Sequence, residues 1–287
     1  MLTVKLSSLS SVLPIWQPIG YSTYQITNLL AQKYGQKATH TGVLDPLAEG
    51  VILVLLGDMR FEKLNLTSLI KEYEFEITFG ISTDSYDGLG KVTRFHLDHN
   101  INIADVLVVL NDLVGPYAQK VPLYSAQKVD GRKLFMYPKL GIEAPELPVK
   151  SGRIMSIELI EFKKAHLHEK IRCAISNIEK IRGGEFRQAE IASFWKSFIE
   201  STQDLSVDTL RVKVVMTKGL YVRSLCQDIA AKLNTAGFVS QLIRTKNGQF
   251  ERKDCRTLES IFGEKFNADM FASRYATLLK SWKTLPY

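Results

Sequence analysis

Residues Lys71 to Phe79 alternate strictly between apolar and polar side chains, and this pattern constrains the fold more than any other part of the chain. The large apolar residues fall on one face of a strand, while three glutamates and a threonine fall on the other. Val51 to Leu56 is instead continuously apolar, which is typical of a strand covered on both faces. The sequence therefore predicts a sheet that contains a half-exposed strand and a fully buried one.

The remaining periodic segments predict a mixed order of helices and strands. Ser22 or Thr23 caps a predicted helix that ends at Gly35, where a left-handed residue is favoured. Further helices are predicted over 103–114 and 222–233, and further strands over 91–95, 154–162 and 211–217. The strand over 91–95 is expected to return antiparallel to Lys71–Phe79, as a hairpin or after a longer connection. The expected fold class is α+β, with a mixed, largely antiparallel central sheet flanked by helices.

Residues 163–210 lie between two predicted strands and are predicted to form a helical-hairpin insertion, with the break between its helices at Gly183 and Gly184. No stretch rich in proline, glycine or serine divides the chain. We therefore expect residues 1–287 to form a single domain that contains this insertion.

The net charge of +7 and the pI near 9.1 favour a polyanionic partner, because lysine and arginine release the counterions of phosphate groups. The longest apolar run, Val51 to Gly57, is far shorter than the roughly 20 residues of a membrane helix. The N-terminal residues also lack the apolar stretch of a signal peptide. A cytoplasmic location without a membrane span is therefore expected.

Cysteine and histidine spacing does not favour a metal site. The cysteines are odd in number and form no C-x-x-C pair, so we expect reduced, buried thiols. The histidines that lie close in sequence have no carboxylate or cysteine at ligand spacing, and we interpret them as surface residues. These residues are Cys173, Cys226 and Cys255, and the pairs His96/His99 and His166/His168.

The segment Thr39 to Gly57, THTGVLDPLAEGVILVLLG, contains the most informative carboxylate of the chain, that of Asp45. Pro46 and the glycines at 42 and 50 restrict the backbone around Asp45, so the turn can hold the carboxylate rigidly in a cleft. Asp-Pro is also common in ordinary turns, and the pattern alone leaves both interpretations open.

This segment resembles the pattern HTGxLDPxAxGxLxxxxG of the TruB family of pseudouridine synthases. The resemblance continues in order along the chain, over about residues 12 to 250. The other matching blocks are Lys71-Glu72-Tyr73, Gly80 to Gly88 (GISTDSYDG), Val121 to Gly141 (VPLYSAQKVDGRKLFMYPKLG), Lys218 to Arg223 (KGLYVR) and Leu242 to Arg244.

The resemblance implies a pseudouridine synthase fold, the isomerisation of a uridine in tRNA at position 55 of the T loop, and a role for each matching residue. Asp45 is then the nucleophile, and Arg223 pairs with it and keeps it ionised. Tyr73 stacks on the extruded base, and Tyr221 acts near the target and helps to transfer protons. Leu242 lines the pocket, while His40 fills the stack that the uridine leaves. Neither a cofactor nor a metal is implied.

Simpler interpretations remain open for several of these residues. On pattern alone, Tyr73 is a core-face aromatic residue of its strand. An exposed arginine is the ordinary expectation for Arg223, early in its helix. Residues 121–148 either contact the T arm of tRNA through Lys128, Arg132 and Lys133 or form a solvated charged loop, and the resemblance favours RNA contact.

The chain also departs from the family pattern. Gln17 replaces the usual lysine of K-P-x-G-x-[ST]-S. The stretch after Phe250 is too short for the family's RNA-binding PUA domain, so none is expected. We hypothesise that cations of the insertion partly compensate by binding RNA. They are Lys163, Lys164, Lys170, Arg172, Lys180, Arg182 and Arg187.

Two other functions are compatible with part of this pattern. The first is a tRNA-binding or folding chaperone whose catalysis is lost or incidental. The presence of all the catalytic-type residues disfavours it, because a buried Asp–Arg pair is costly to desolvate. The second, a guide-RNA-dependent enzyme acting on rRNA, requires partner surfaces that the sequence does not indicate. No obligatory protein partner is inferred, and a monomer is expected.

Overall fold

Strands and helices alternate irregularly along the chain. The computed structural model describes residues 11–96 and 100–263. Its strands, β1 to β13 in chain order, are Val12–Gln17, Ala38–Thr41, Ala48–Leu56, Lys71–Phe79, Ile81–Thr83, Val92–Phe95, Gly115–Lys120, Lys128–Val129, Arg132–Lys133, Val149–His166, Ser206–Met216, Gly237–Asn247 and Phe250–Glu251. Its α-helices, α1 to α8, are Thr23–Tyr34, Lys63–Thr67, Ile103–Asp112, Met136–Lys139, Leu167–Glu179, Gln188–Ser201, Val222–Lys232 and Leu258–Phe262.

The chain divides into two compact units that are interleaved in sequence. Unit 1 consists of Met1–Leu69, Glu179–Phe186 and Ile243–Tyr287, and unit 2 consists of Ile70–Ile178 and Arg187–Leu242. Strand β12 therefore belongs to unit 2 at its beginning and to unit 1 at its end.

Unit 1 is built on the apolar strand β3, which pairs antiparallel with both β1 and β2. Eight of the nine β3 residues from Ala48 to Leu56 are buried, and Val51 to Leu55 are fully buried, as the continuous apolar run predicts. Burial of so much apolar surface is the main stabilising contribution to this unit. The surrounding cluster of buried side chains is Val12, Trp16, Val51, Leu53, Leu55, Met59 and Leu66.

Helix α1 begins and ends where the sequence predicts. The Ser22 hydroxyl accepts the backbone N–H of Gln25, and the Gln25 side chain accepts that of Ser22, which forms a capping box. Gly35 ends the helix at a φ of 63°, a conformation that costs glycine little. The helix enters unit 1 with Ile26 and Leu30 fully buried.

In unit 2 the strand order is β12, β4, β11, β10 and β7. Strand β4 has the predicted bounds, and Phe75, Ile77 and Phe79 are at most 1% exposed, whereas its glutamates are half-buried. The β4–β11 and β11–β10 pairs are antiparallel, as is the β10–β7 pair. Together with the antiparallel pairs of unit 1, they confirm the α+β fold class with largely antiparallel strands.

The segment predicted as an insertion contains the two helices α5 and α6 on either side of Gly183 and Gly184. Strands β10 and β11 are longer than predicted, because they continue to pair up to His166 and from Ser206 onward. The alternation is weaker at the end of β10, where Lys163 and Lys164 fall on opposite faces, and the start of β11 is largely polar. The helical part of the segment therefore spans 167–201.

Three expectations from the sequence need correction. Cys173 is exposed, whereas Cys226 is buried and Cys255 is half-buried. His168 is also buried rather than on the surface, and its ring nitrogen Nε2 lies 2.8 Å from the Thr202 carbonyl oxygen. The return strand β6 pairs with β5 rather than with β4. His99 and Trp282 lie outside the described residues.

Candidate functional site

Asp45 lies in the loop between β2 and β3 of unit 1, and its side chain is half-buried. The loop is fixed through its backbone. The Ala48 N–H donates to the Asp45 carbonyl oxygen at 3.0 Å, and the Gly20 N–H donates to the Pro46 carbonyl oxygen at 2.8 Å. The Leu44 N–H donates to the Thr23 hydroxyl at 2.9 Å. These bonds fix the backbone of the turn that carries the Asp45 carboxylate.

Gln17, which replaces the family's usual lysine, contributes to the same loop. Its side chain is fully buried, and its amide nitrogen donates to the Tyr21 carbonyl oxygen at 2.9 Å and to the Asp45 carbonyl oxygen at 3.4 Å. Its amide oxygen accepts the Thr23 hydroxyl at 2.7 Å. A neutral amide can both donate and accept, so this residue links three backbone or side-chain groups without a buried charge.

Arg244 holds the other side of the loop in unit 1. It is 1% exposed, and its guanidinium donates to the Val51 carbonyl oxygen at 2.6 Å and to the Gly42 carbonyl oxygen at 3.2 Å. The backbone of Arg244 also approaches Gly50 so closely that a Cβ atom there would lie 2.3 Å from the Arg244 carbonyl oxygen. Only glycine at position 50 lets β3 and β12 lie this close together. Its φ of 130° also disfavours any residue with a side chain.

His40 lies on β2, at the start of the same loop. Its Nδ1 lies 3.0 Å from the Thr27 hydroxyl oxygen. Burial, followed by the positive charges of Lys63 and Arg244, lowers the pKa of His40 to about 4. The ring is therefore neutral at pH 7, which suits the predicted role of filling a base stack.

Arg223 of unit 2 is 4% exposed, so the ordinary expectation of an exposed helical arginine is wrong. Its Nη1 donates to the Ser85 carbonyl oxygen at 2.9 Å and its Nη2 donates to the Tyr124 carbonyl oxygen at 3.1 Å. Its Nε lies 3.8 Å from a carboxylate oxygen of Asp87. Two of the matching sequence blocks thus meet at this guanidinium. The pairing of Arg223 with Asp45 stays a prediction.

Tyr221 precedes α7 as its N-cap and is held by Gln119 of β7. The Gln119 side chain accepts the Tyr221 N–H and donates to the Tyr221 carbonyl oxygen at 3.2 Å. The Tyr221 side chain does not cap α7, and the buried Gln119 side chain is the partner of the Tyr221 backbone N–H instead. The Tyr221 ring packs against the buried cluster that includes Val121 and Tyr137. Tyr221 is thereby placed beside the segment predicted to contact RNA.

Tyr73 and Leu242 occupy strands of unit 2. Tyr73 is half-buried and stands opposite Val214 in the β4–β11 pair, so its ring is more accessible than those of Phe75 and Phe79. Leu242 is 7% exposed. Their roles in binding the base stay predictions.

The residues Lys128, Arg132 and Lys133 are all exposed on a two-stranded ribbon formed by β8 and β9. Asp130 and Gly131 form its turn with φ values of 49° and 78°, the left-handed pair that a tight hairpin favours. The Tyr137 hydroxyl donates to the Val129 carbonyl oxygen at 3.0 Å and ties the ribbon to a buried cluster. The segment thus presents three cations on a fixed support.

Cations of the insertion are in part already paired with carboxylates of the protein. Lys164 contacts the buried Asp208 at 2.8 Å, and Lys170 contacts Glu76 at 2.9 Å. Lys163 contacts Glu161 at 2.9 Å. Arg187 also pairs with a carboxylate, that of Asp84, at 2.9 Å. These pairs reduce the positive charge that the insertion offers to RNA.

Residues 11–96 and 100–263 contain no group of three or more histidine, cysteine, aspartate or glutamate side chains that could hold a metal ion. Within the same residues, no helix is both long and apolar enough to cross a membrane.

Sequence reasoning missed the residues that hold the predicted catalytic groups. Gln17 attracts notice only as a departure from the family pattern, and Arg244 only as the last residue of a matching block. Asp87 also lies within a matching block, whereas Gln119 precedes one by two positions. A buried polar residue next to a motif is the signal that points to such supporting roles.

Residues 28–177 match the family model described as TruB family pseudouridylate synthase (N terminal domain). Two relatives named tRNA pseudouridine synthase B are similar over most of the chain. The protein of Caldanaerobacter subterraneus subsp. tengcongensis is 31% identical over 255 residues, which cover 88% of this chain and 74% of the relative. The protein of Bacillus subtilis (strain 168) is 33% identical over 257 residues, which cover 88% and 70%.

Two solved structures share the fold. A chain of "Crystal Structure of a Cbf5-Nop10-Gar1 Complex" gives a TM-score of 0.54 at 19% identity, with 88% of this chain and 54% of that chain covered. A chain of "Structure of H/ACA RNP bound to a substrate RNA containing 2'-deoxyuridine" gives 0.51 at 17% identity, with 86% and 51% covered. This chain thus spans about half the length of those chains. The sequence matches and the shared fold together show that the chain belongs to the TruB family of pseudouridylate synthases.

Proposed function

We propose that this chain isomerises uridine to pseudouridine in tRNA, at position 55 of the T loop, with Asp45 as the nucleophile. The family match and the names of its relatives support the reaction and the tRNA substrate. The assignment of Asp45 is supported by the fixed backbone of its loop, because Ala48 and Gln17 both donate hydrogen bonds to the Asp45 carbonyl oxygen. We also propose that the reaction takes place in the cytoplasm.

The reaction is an isomerisation, so it needs no oxidant, reductant or co-substrate. The bond from uracil N1 to the ribose C1′ breaks, the ring turns, and a bond from C5 to C1′ forms. The proton that leaves C5 is balanced by the proton that N1 gains. The Asp45 carboxylate supplies the nucleophile, whichever atom it attacks first, and Arg223 is its proposed guanidinium partner.

The target nucleotide has to leave its stack, which costs a few kcal/mol that contacts in the pocket must offset. Tyr73 offers a partly accessible ring on which the extruded pyrimidine stacks, with Leu242 as an apolar wall. Tyr221 stands next to the target and assists the proton transfers. His40, neutral at pH 7, takes the place of the extruded base without adding charge.

The ribbon of Lys128, Arg132 and Lys133 contributes the electrostatic part of tRNA binding. Its cations are exposed on a support of defined shape, so they can reach phosphates of the T arm. Backbone contacts of this kind position the RNA and leave the selection of the nucleotide to the pocket.

The test uses an unmodified tRNA transcript, and pseudouridine is measured by position. The parent protein is expected to form pseudouridine at position 55, while Asp45→Asn binds the transcript and forms none. Asp58→Asn removes an exposed aspartate of the same unit and serves as the matched control, which is expected to retain activity.

Each other outcome is informative. Binding without turnover by both the parent and Asp58→Asn would favour the chaperone function. Turnover that survives in Asp45→Asn would remove Asp45 as the nucleophile but leave the reaction assigned. Pseudouridine at another position would correct the proposed specificity.

A further inference from the structure

The segment Asp84 to Gly88 of unit 2 lies between Arg223 and the insertion. On one side, Arg223 donates to the Ser85 carbonyl oxygen, and the Val239 N–H donates to the Tyr86 carbonyl oxygen at 3.0 Å. Tyr86 itself has a φ of 67°, which is unusual for a residue with a side chain. Such a conformation persists only where the surrounding contacts determine it.

Helix α6 of the insertion holds the other side of this segment. The Trp195 ring is fully buried, and its Nε1 donates to the Gly88 carbonyl oxygen at 2.8 Å. Arg187, the N-cap residue of α6, binds the Asp84 carboxylate with both terminal nitrogens, at 2.9 and 3.0 Å. A bidentate pair of this kind fixes orientation as well as distance.

Arg187 also contacts the second acceptor of Arg223. Its guanidinium lies over the Tyr124 ring, 4.3 Å from the ring centroid, and the Tyr124 carbonyl oxygen accepts from Arg223. The Tyr124 hydroxyl donates to Asp84 at 3.3 Å. Arg187, Asp84 and Tyr124 therefore form one cluster, and the two carbonyl oxygens that orient Arg223 belong to this cluster or to the residue next to it.

We propose that Arg187 is a positioning residue for Arg223, acting through Asp84 and Tyr124, and that α6 of the insertion braces the active site. This inference rests on the proposed function, since it assigns a consequence for catalysis. It replaces RNA binding as the role of Arg187, because the Asp84 carboxylate already occupies both of its terminal nitrogens. Lysine can take over only part of this role, since an ammonium group cannot form the planar, two-bonded pair.

The test compares Arg187→Met, Arg187→Lys and the control Lys232→Met, which removes an exposed cation from the last turn of α7. Arg187→Met is expected to lower kcat by about 10-fold to 100-fold, because small displacements of a catalytic group have effects of that size. The KM for tRNA should change by less than about 2-fold, since the phosphate contacts remain. Arg187→Lys should recover only part of the loss, and Lys232→Met should leave kcat and KM unchanged.

Further measurements test the second contact of α6 with this segment and separate a local change at residues 84–91 from loss of folding. Trp195→Phe keeps an aromatic ring at this buried position but removes the N–H that binds Gly88, and it is expected to lower kcat less than Arg187→Met does. Amide hydrogen exchange over residues 84–91 should become faster in Arg187→Met, while thermal unfolding shows whether that variant is folded.

The inference is overturned if Arg187→Met raises KM and leaves kcat unchanged, because that result identifies a cation that binds RNA. Unchanged hydrogen exchange over residues 84–91 would overturn it as well. If the parent protein forms no pseudouridine, the proposed function fails, and the hydrogen-exchange comparison still decides whether Arg187 holds this segment.

Discussion

The buried amide of Gln17 donates to the carbonyl oxygen of Asp45 at 3.4 Å, so the residue that departs from the family pattern contacts the proposed nucleophile's own backbone. The same amide accepts the Thr23 hydroxyl, which in turn accepts the Leu44 N–H. Gln17, Thr23 and Leu44 thus form a short chain of hydrogen bonds that ends one residue before Asp45. On this side of the loop, the loss of the usual lysine leaves the backbone supported by neutral groups, while Arg244 supports the other side.

Gln17→Met is expected to destabilise the protein and to slow turnover. Methionine has a similar length but leaves the Thr23 hydroxyl and the Tyr21 carbonyl oxygen without the partners that they have in the parent. A lost partner of a buried polar group costs about 1–3 kcal/mol. Urea unfolding measures the stability, and a kcat determination on tRNA measures the effect on the loop.

Gln32→Met is the matched control, because Gln32 is exposed on α1 of the same unit. Its free energy of unfolding should stay within about 0.5 kcal/mol of that of the parent. Equal stability of Gln17→Met and Gln32→Met would contradict a supporting role for the Gln17 amide.

Gly50→Ala is expected to cost more than about 3 kcal/mol of stability, because it combines two penalties. The new Cβ would lie 2.3 Å from the Arg244 carbonyl oxygen, and the φ of 130° disfavours any residue with a side chain. Gly115→Ala separates the two effects, since its φ is 118° and no atom lies within 4 Å of the added Cβ. If urea unfolding gave the same loss for both, the contact with Arg244 would not be the cause.

The fold was predictable where local chemistry decides it. Strand β4 has the predicted bounds because its alternation matches one buried face, and α1 has them because Ser22, Gln25 and Gly35 cap it. The burial of Arg223 was not predictable, since its acceptors, Ser85 and Tyr124, are distant in sequence. Helical periodicity describes one element at a time and contains no information about such partners.

The number of insertion cations available to bind RNA was not predictable for the same reason. A count of lysines and arginines favours RNA binding, but it does not show that Lys170 lies 2.9 Å from Glu76 or that Arg187 pairs with Asp84. A net charge limits the partners of the whole molecule, whereas only the tertiary structure shows which cations remain available. The candidate site could thus be named from motifs, while its supporting contacts could not.

Replacement of Lys128 and Lys133 by glutamine is expected to weaken tRNA binding and its salt dependence. About six phosphate contacts give a log–log slope of roughly −4 to −5, and the loss of two makes it less steep by about 1.4 to 1.8. Binding to tRNA at several salt concentrations measures this slope.

The control for the ribbon replaces Lys91 and Lys253 by glutamine, because the exposed side chains of both lysines already form ion pairs, with Glu190 and Glu251. Such pairs contribute little to stability, so the control variant should fold normally. A slope that changes equally in both double variants would show that binding depends on overall charge and not on the ribbon.

The neutral His40 is expected to make stability depend on pH between about 4 and 6.5. Burial, followed by the charges of Lys63 and Arg244, lowers the pKa of His40 to about 4 in the folded protein, whereas the unfolded chain retains the ordinary value near 6.5. Between these values the unfolded chain binds more protons, so the stability that the neutral ring contributes is complete above pH 6.5 and is lost as the pH falls towards 4. The loss amounts to about 3 kcal/mol at most.

His40→Asn removes the titrating ring, so urea unfolding between pH 4 and 7 should show a shallower decline in that variant than in the parent. Carboxylates titrate in the same range in both proteins, which makes the difference between the two curves the quantity that reports on His40, and two parallel curves would contradict the assignment.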